Sequence, residues 1–248
     1  MPKPKIGKNK QKKIVKPVFH IFCEGKKTEP YYLRGYIDRY HSDNKSLLVV
    51  EQAKKNTPIA LVKEAIAHKD TGNPRDVYWV VFDRESVTKY KHTDHLEAQN
   101  QARSHDIQIA FSNVCFEYWF LLHFEFSAAG YDCCDDLLKN SPLKQKLADR
   151  GIKKYDKGII YLFDKLKENN GINNALTNGA RIKKQALASA ERGRESPCYL
   201  NPYTDVHELL IDMKNFVDTK ESVRTNSSNI NMPEVLIEMR RFIDSQEA

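Results

Sequence analysis

The run Val77–Phe82, with the sequence VYWVVF, is apolar or aromatic on both faces of an extended chain. That pattern is typical of a central strand in a parallel sheet, because such a strand is covered on both sides. Three further segments have strand character: Pro17–Cys23, Ser46–Gln52 and Ile107–Phe111. Segments with helical spacing separate the four predicted strands. Alternating strands and helices require right-handed crossovers. The sequence therefore predicts an α/β fold with a parallel sheet of about four strands flanked by helices.

The alternation stops near residue 128, and only helices are predicted beyond it. The predicted helices cover 28–40, 57–69, 94–104 and 115–126 in the first part, and 132–139, 142–149, 155–168 and 174–191 in the second. A helix over 205–217 has an apolar stripe that should pack back on the sheet, and a last helix is predicted at 233–244. We therefore expect a basic disordered tail at 1–16, a core at 17–128, an inserted basic helical lobe at 129–200, and C-terminal helices at 201–248 that pack on the core.

The basic charge is concentrated in two segments. The formal net charge is +7, and residues 1–16 alone hold seven lysines and no acid. Residues 139–195 carry fourteen Lys or Arg against six Asp or Glu. This layout suits nucleic acid, since Lys and Arg gain affinity by releasing counterions from phosphates. The alternative is a solvated helical face and a solubilising tail.

Several classes of protein are disfavoured by what the sequence lacks. No run approaches the roughly 18 to 20 apolar residues that span a bilayer, and the lysine-rich start has no signal-peptide core, so we expect a cytoplasmic protein without a membrane partner. The five cysteines have no C-x-x-C spacing and are expected to be free thiols. The glycine-loop motifs of NTPases and dinucleotide enzymes and the G-x-S-x-G elbow are also missing.

Acidic residues follow two of the predicted strands. Glu24 comes directly after the first, and Asp83 and Glu85 come after Val77–Phe82. The carboxyl edge of a parallel sheet is where open α/β folds place their chemistry. In extended geometry Asp83 and Glu85 point to the same side, and carboxylates sharing a site favour a hard divalent ion. The alternatives are a solvated turn at Glu24 and a surface loop neutralised by Arg84.

Other polar residues lie beside these acids. Lys26 and Lys27 stand at a helix start and could hold a phosphate, while Glu29 is equally suited to the site and to helix capping. Glu117 and His123 lie in a helix whose other residues are mostly core, so both need partners. For His123 a hydrogen-bonded structural role is favoured over a supporting catalytic one. Two further supporting positions are Asn113 and His207.

The segments CEGKKTEPYY, VVFDRES, FSNVCFEYWFLLHFE and NPYTDVHELL, in this order, resemble the RloB-like family over roughly residues 17–218. That family is linked to restriction loci and phage abortive infection, and is a branch of the Toprim-like proteins. The resemblance implies that Glu24 is the Toprim glutamate and that Asp83 and Glu85 stand for its D-x-D pair, with Glu in place of the second Asp. It also implies a metal-dependent nuclease of bacterial anti-phage defence, acting with an AAA-type or ABC-type ATPase.

On this hypothesis Asp83 and Glu85 hold Mg²⁺ or Mn²⁺ against a phosphate oxygen, and Glu24 is a general base or further ligand. Glu117 would support a second metal. The residues expected to contact the backbone of RNA or DNA, without reading sequence, are Lys26, Lys27, Arg84, Lys153, Lys154, Arg181, Lys183 and Lys184. The main alternative is a catalytically degenerate Toprim-like module that serves an ATPase as partner or sensor. Nucleotidyl transfer is a third possibility.

Overall fold

The computed structural model describes residues 16–225. Its centre is a five-stranded sheet in the order β2-β1-β3-β4-β5. The strands are β1 (Phe19–Cys23), β2 (Leu48–Val50), β3 (Val77–Asp83), β4 (Gln108–Asn113) and β5 (Tyr203–Thr204). Strands β1 to β4 are parallel, and β5 pairs antiparallel with β4. The predicted α/β fold with a parallel sheet is therefore confirmed, and a short antiparallel strand is added at one edge.

Four helices follow the parallel strands, and five more follow the end of the alternation. The first four are α1 (Thr28–Tyr40), α2 (Pro58–Thr71), α3 (His92–Ser104) and α4 (Glu117–Leu122). The others are α5 (Cys134–Asn140), α6 (Leu143–Asp149), α7 (Leu162–Leu166), α8 (Gly171–Ala188) and α9 (Val206–Thr225). None of the helices in the described range is both long and apolar enough to cross a membrane.

One predicted helix is largely a loop in the structure. The sequence predicts a helix over 155–168, but α7 covers only Leu162–Leu166. Gly151 has a φ of 89°, and the Asp156 carboxylate accepts a hydrogen bond of 2.7 Å from the Gly158 amide. Such a local side-chain bond competes with helix formation. The segment 150–161 therefore forms a loop, which supplies part of the site described below.

The strand β3 lies between two apolar layers. On one face Val80 and Phe82 belong to a core cluster that includes Leu61 of α2 and Ala98 of α3. On the other face of β3, Trp79 and Val81 are 3% and 0% exposed. The rings of Phe116, Trp119 and Phe163 pack edge to face on Tyr32 of α1. Burial on both faces is what the VYWVVF run predicts, and it fixes β3 in the middle of the sheet.

The chain divides into two compact units, residues 1–213 and residues 214–248. In the first unit the predicted apolar stripe at the start of α9 is fully buried at Val206, Leu209, Leu210 and Met213. The described part of the second unit is the remainder of α9, where Lys214 and Asp218 form an ion pair of 2.6 Å one turn apart. The predicted basic tail, apart from Lys16, and the predicted helix at 233–244 lie outside the described residues.

Candidate active site

A cavity of about 380 Å³ opens at the carboxyl edge of the parallel strands. Its walls carry Glu24, Gly25, Lys26, Lys27, Thr28, Glu29, Asn56, Asp83, Glu85, Lys89, Tyr90, Phe116, Glu117 and Lys157. Five of these residues are acids. The fold thus brings together the predicted acids from three separate segments of the chain, since parallel strands end at the same edge.

Glu24 is held at both carboxylate oxygens. The register that places Cys23 opposite Val81 also lets the Glu24 amide donate to the Val81 carbonyl at 2.9 Å. One oxygen accepts a long bond of 3.4 Å from the Asp83 amide, and the other accepts 3.1 Å from the Tyr90 hydroxyl. Burial raises the pKa of Glu24 in spite of these two bonds. The carboxylate is therefore oriented by β3 and by the segment that follows it.

Asp83 ends β3 as a buried acid with 7% exposure. Its Oδ1 atom is buried and has no hydrogen-bond partner in the described part of the chain. Burial raises the pKa of Asp83 well above its usual range, and the charges of Glu29, Glu117 and Glu24 raise it further. An ionised carboxylate in this position is costly unless a cation or a donor meets it.

Glu85 reaches the same cavity through a turn. It has a φ of 55°, so the extended geometry predicted for the Asp83–Glu85 pair does not continue past Asp83. Hydrogen bonds to β4 and the residues after it hold the turn, with the Arg84 amide donating to Ser112 at 2.8 Å and the Glu85 amide donating to Val114 at 3.0 Å. The Glu85 carboxylate pairs with Lys89 at 2.6 Å. Both acids line the cavity, and Glu85 reaches it through this turn rather than through an extended backbone.

Glu29 lies in the first turn of α1 and folds back over Gly25. It is only 6% exposed. Burial, followed by the charges of Glu117 and Glu24, raises its pKa from 4.5 to about 7. A Cβ atom at Gly25 would lie 2.8 Å from the Glu29 carboxyl carbon, closer than side chains pack. The glycine after Glu24 therefore makes room for a second acid.

Glu117 is 1% exposed, and the loop 150–161 supplies two of its partners. The Tyr155 hydroxyl donates to Oε1 at 2.9 Å, and the Lys157 ammonium lies 3.6 Å from the same oxygen. The Cys134 thiol donates to Oε2 at 3.3 Å. The acid predicted to need partners has them, but they come from segments at least 17 residues away. No spacing in the sequence indicates Tyr155 or Lys157.

The charges in the cavity are arranged by depth. Asp83, Glu29 and Glu117 are buried, whereas Lys26 and Lys27 are exposed at the start of α1. The Lys89 and Lys157 side chains are 49% and 56% exposed. An acidic interior with a rim of lysines can hold a small cation inside and an anion at the mouth. Lys89, Tyr90 and Asn56 are further members of the site that the sequence analysis did not identify.

The donors of the cavity fit a hard divalent cation. They are carboxylate oxygens, which Mg²⁺ and Mn²⁺ prefer. Among the described residues, Asp83 Oδ1 has no hydrogen-bond partner that would compete with a cation. Within the described range, Glu24, Asp83 and Glu85 do not form a group of three whose ligand atoms all lie within 4.8 Å of one another. Like charges separate when no cation lies between them. Binding would therefore draw these side chains closer together.

Glu117 also belongs to a group with softer ligands. The ligand atoms of Cys115, Glu117 and Cys134 all lie within 4.8 Å of one another. All five cysteines are free, as predicted. Burial raises the pKa of the Cys115 thiol well above its usual range, so the protonated form is favoured. Cys115 and Cys134 therefore lie beside Glu117, although neither of them lines the cavity.

Arg84 and Asn113, both predicted site residues, point away from the cavity. The Arg84 guanidinium is buried and donates to the Cys198 carbonyl at 3.1 Å and to the Tyr90 carbonyl at 2.9 Å. The Asn113 amide donates to the Leu200 carbonyl at 2.6 Å. Both residues tie the segment before β5 to the sheet. Arg84 neutralises no surface loop, and its guanidinium is occupied by these carbonyls.

The predicted histidines are also outside the cavity. His123 is fully buried between the Tyr32 hydroxyl, 2.9 Å from Nε2, and the Trp119 carbonyl, 2.9 Å from Nδ1. Burial lowers its pKa to about 3, so the ring is neutral. This arrangement is the hydrogen-bonded structural role that the sequence favours. Burial also lowers the pKa of His207 to about 4.

The remaining predicted basic residues do not line the cavity. Lys183 forms ion pairs with Asp205 at 2.8 Å and Glu208 at 2.7 Å, so its charge is already engaged. The Arg181 guanidinium lies 3.8 Å from the centre of the Phe126 ring. The other three are exposed: Lys153 and Lys154 on the loop 150–161, and Lys184 on α8.

The fold and the cavity define an α/β protein with an acidic pocket at the carboxyl edge of a parallel sheet. The chain belongs to the RloB-like protein family, whose sequence model matches residues 19–213. That match includes every residue that lines the cavity. Neither the curated proteins nor the solved structures provided a match to the chain.

Proposed function

We propose that this protein is a metal-dependent nuclease, with a Toprim-like site, that acts in bacterial anti-phage or abortive-infection defence. The observation that carries the proposal is Asp83, a buried acid with an unpartnered oxygen among four other acids of one cavity. Its membership of the RloB-like family supports the same assignment. A cluster of buried acids is difficult to explain as a purely structural feature, because Asp83 Oδ1 has no hydrogen-bond partner in the described range.

Asp83, Glu85 and Glu24 are the residues that would hold the cation. When bound, Mg²⁺ or Mn²⁺ would supply a Lewis acid for a phosphodiester oxygen. Glu24 is oriented by the Tyr90 hydroxyl, and burial raises its pKa, which makes it a stronger proton acceptor than a solvated glutamate. Glu117, whose Oε1 accepts a hydrogen bond from the Tyr155 hydroxyl, would support a second metal.

The lysine rim supports nucleic acid as the substrate class. Lys26, Lys27, Lys89 and Lys157 surround the mouth of the cavity and would neutralise a phosphodiester backbone. Lys153 and Lys154 are exposed on the same loop as Lys157 and extend the basic surface along the chain. These contacts read no base, so recognition would be independent of sequence. An AAA-type or ABC-type ATPase remains a candidate partner.

The test uses purified protein with tRNA, unstructured RNA, single-stranded DNA and double-stranded DNA, each with and without Mn²⁺. We expect cleavage of at least one substrate, and a loss of about 100-fold or more in Glu24→Gln and Asp83→Asn. Glu97→Gln is the matched control, because Glu97 is an exposed acid on α3 outside the cavity.

Cleavage that survives in both cavity variants would refute the assigned roles. If the wild-type protein cleaves nothing, calorimetric titration with Mn²⁺ separates the alternatives. A degenerate module that only docks on an ATPase should show no metal binding that depends on Asp83. If the wild type binds Mn²⁺ and Asp83→Asn abolishes that binding, the proposed metal site is supported. The substrate would then be one that the protein cleaves only together with a partner.

A further inference from the structure

A second group of metal-ligand atoms lies away from the acidic cavity. His20 is in β1, Glu51 directly follows β2, and His68 is in the last turns of α2. Their ligand atoms all lie within 4.8 Å of one another. His20 Nδ1 is 2.7 Å from Glu51 Oε1, and His68 Nε2 is 4.0 Å from the same oxygen. Three neighbouring elements thus direct two imidazoles and one carboxylate toward one point.

The outer nitrogen of each imidazole has its own partner. His20 Nε2 lies 3.4 Å from Asp76 Oδ2, and His68 Nδ1 lies 3.3 Å from the Tyr78 hydroxyl. Asp76 is itself fixed by the amides of Val18, at 2.8 Å, and Asn73, at 3.1 Å. Histidines that bind metals generally use one nitrogen for the ion and give the other to a carboxylate, carbonyl or water, which sets the tautomer and the ring orientation.

The His20 ring is packed against the protein, whereas Glu51 and His68 are partly exposed to solvent. His20 stacks on Tyr78 with ring centres 4.9 Å apart, and its side chain is 10% exposed. The side chains of Glu51 and His68 are 23% and 41% exposed. An ion can therefore enter from solvent and meet a preoriented imidazole. The solvent side leaves a coordination position for water.

We propose that His20, Glu51 and His68 form a binding site for a transition-metal ion of the Zn²⁺ type, separate from the acidic cavity. Two imidazoles and one carboxylate with an open fourth position are a donor set that Zn²⁺ takes in proteins. Tetrahedral ligands at roughly 2.1 Å from Zn²⁺ are about 3.4 Å apart. His20 Nδ1 and Glu51 Oε1, at 2.7 Å, therefore have to separate, and His68 Nε2, at 4.0 Å from Glu51 Oε1, has to approach. The ion takes the place of the hydrogen bond between His20 Nδ1 and Glu51 Oε1.

This site differs from the acidic cavity in chemistry and in place. The cavity offers oxygen ligands to a hard cation, whereas this site offers imidazole nitrogen. His20 precedes Glu24 by four residues of extended chain, which separates the two by about 13 Å. An ion at this position joins β1, the end of β2 and α2. It therefore stabilises the sheet edge that carries Glu24 without taking part in the cavity.

The test titrates untagged, chelator-stripped full-length protein with Co²⁺, followed by Zn²⁺. We expect one equivalent of Co²⁺ to give the intense visible absorption of a tetrahedral nitrogen and oxygen site, and Zn²⁺ to displace it. His68→Gln should weaken binding by about 100-fold, and Asp76→Asn by about 10-fold or more. His68 is the ligand of choice because its side chain is 41% exposed, which limits the effect of its replacement on core packing. His105→Gln, at an exposed histidine that is not part of this group of ligands, is the matched control.

The outcomes separate this site from the others. The signal should persist in Asp83→Asn, so failure of the proposed nuclease site and failure of this one are distinguishable. Absence of a tetrahedral signal in the wild type, or equal affinity in His68→Gln, would overturn the proposal. Thiolate-to-cobalt charge transfer would place the ion at Cys115 and Cys134 instead, and would also overturn it.

Discussion

Glu29 should destabilise the metal-free protein at neutral and alkaline pH. Its pKa is raised from 4.5 to about 7, first by burial and then by the charges of Glu117 and Glu24. Each pKa unit corresponds to 1.36 kcal/mol, so the full difference is about 3 kcal/mol. Little of this is screened by solvent, because the residue is only 6% exposed. Glu29→Gln keeps the shape and removes the charge, and should therefore raise the free energy of unfolding by about 3 kcal/mol at about pH 8.

The pH dependence has a definite sign. Between pH 4.5 and about 7 the folded state retains a proton on Glu29 that the unfolded state has released. The folded state binds more protons in this window, so stability falls as the pH rises through it. Below 4.5 the residue is protonated in both states. The advantage of Glu29→Gln should therefore vanish there and reach its full size above pH 7.

The assay is urea unfolding in chelator across this pH range, with and without Mg²⁺. Mg²⁺ favours the charged acids and should stabilise the wild type more than Glu29→Gln. Glu97→Gln, at an exposed acid of α3, should change stability little at any pH. A Glu29→Gln variant that is no more stable than wild type at about pH 8, or whose advantage is independent of pH, would refute the electrostatic account of the cavity.

Two further substitutions test the geometry around the site. Glu85 has a left-handed φ of 55°, a conformation that costs a residue with a side chain about 1 to 2 kcal/mol. Glu85→Gly should therefore stabilise the metal-free protein by about 0.5 to 1 kcal/mol, and it should weaken Mn²⁺ binding because a carboxylate is lost. Chemical unfolding and calorimetry measure both effects, and unchanged Mn²⁺ affinity would remove Glu85 from the metal site. Gly171→Ala would press a Cβ atom against the Leu166 carbonyl oxygen and should cost about 2 kcal/mol in thermal unfolding. Gly158→Ala meets mainly side-chain atoms and should cost clearly less; equal losses would contradict this packing.

The sheet and its acidic edge follow from local patterns in the sequence. Residues 77–82 are apolar at every position, so whichever way the strand faces it must be covered on both sides. Once β3 is central and parallel to β1, Glu24 and Asp83 must emerge at the same edge. Pairing of Cys23 with Val81 shows this register in the structure. Short-range periodicity is sufficient for this result because strand direction and burial are properties of consecutive residues.

The sequence is less informative where backbone conformation changes at a single residue. The sequence predicts that Glu85 points with Asp83 along an extended backbone, whereas the structure has a left-handed turn at Glu85. The sequence indicates Arg84 as a phosphate contact or as the charge that neutralises a surface loop, but its guanidinium donates to the carbonyls of Cys198 and Tyr90. The carbonyls of Ser112 and Val114 hold the turn, and Arg84 also reaches the Cys198 carbonyl 114 residues away. Periodicity reveals none of these three acceptors.

The sequence by itself determined the α/β class, the central strand and the edge at which Glu24 and Asp83 lie. The tertiary structure decided the composition of the site: Tyr155 and Lys157 reach Glu117 from a loop about 40 residues later, and Glu29 folds over Gly25. It also assembled His20, Glu51 and His68 from three elements. The physical reason is that covalent spacing sets period and direction, whereas side chains distant in sequence meet only after the core has packed and fixed the loops around it.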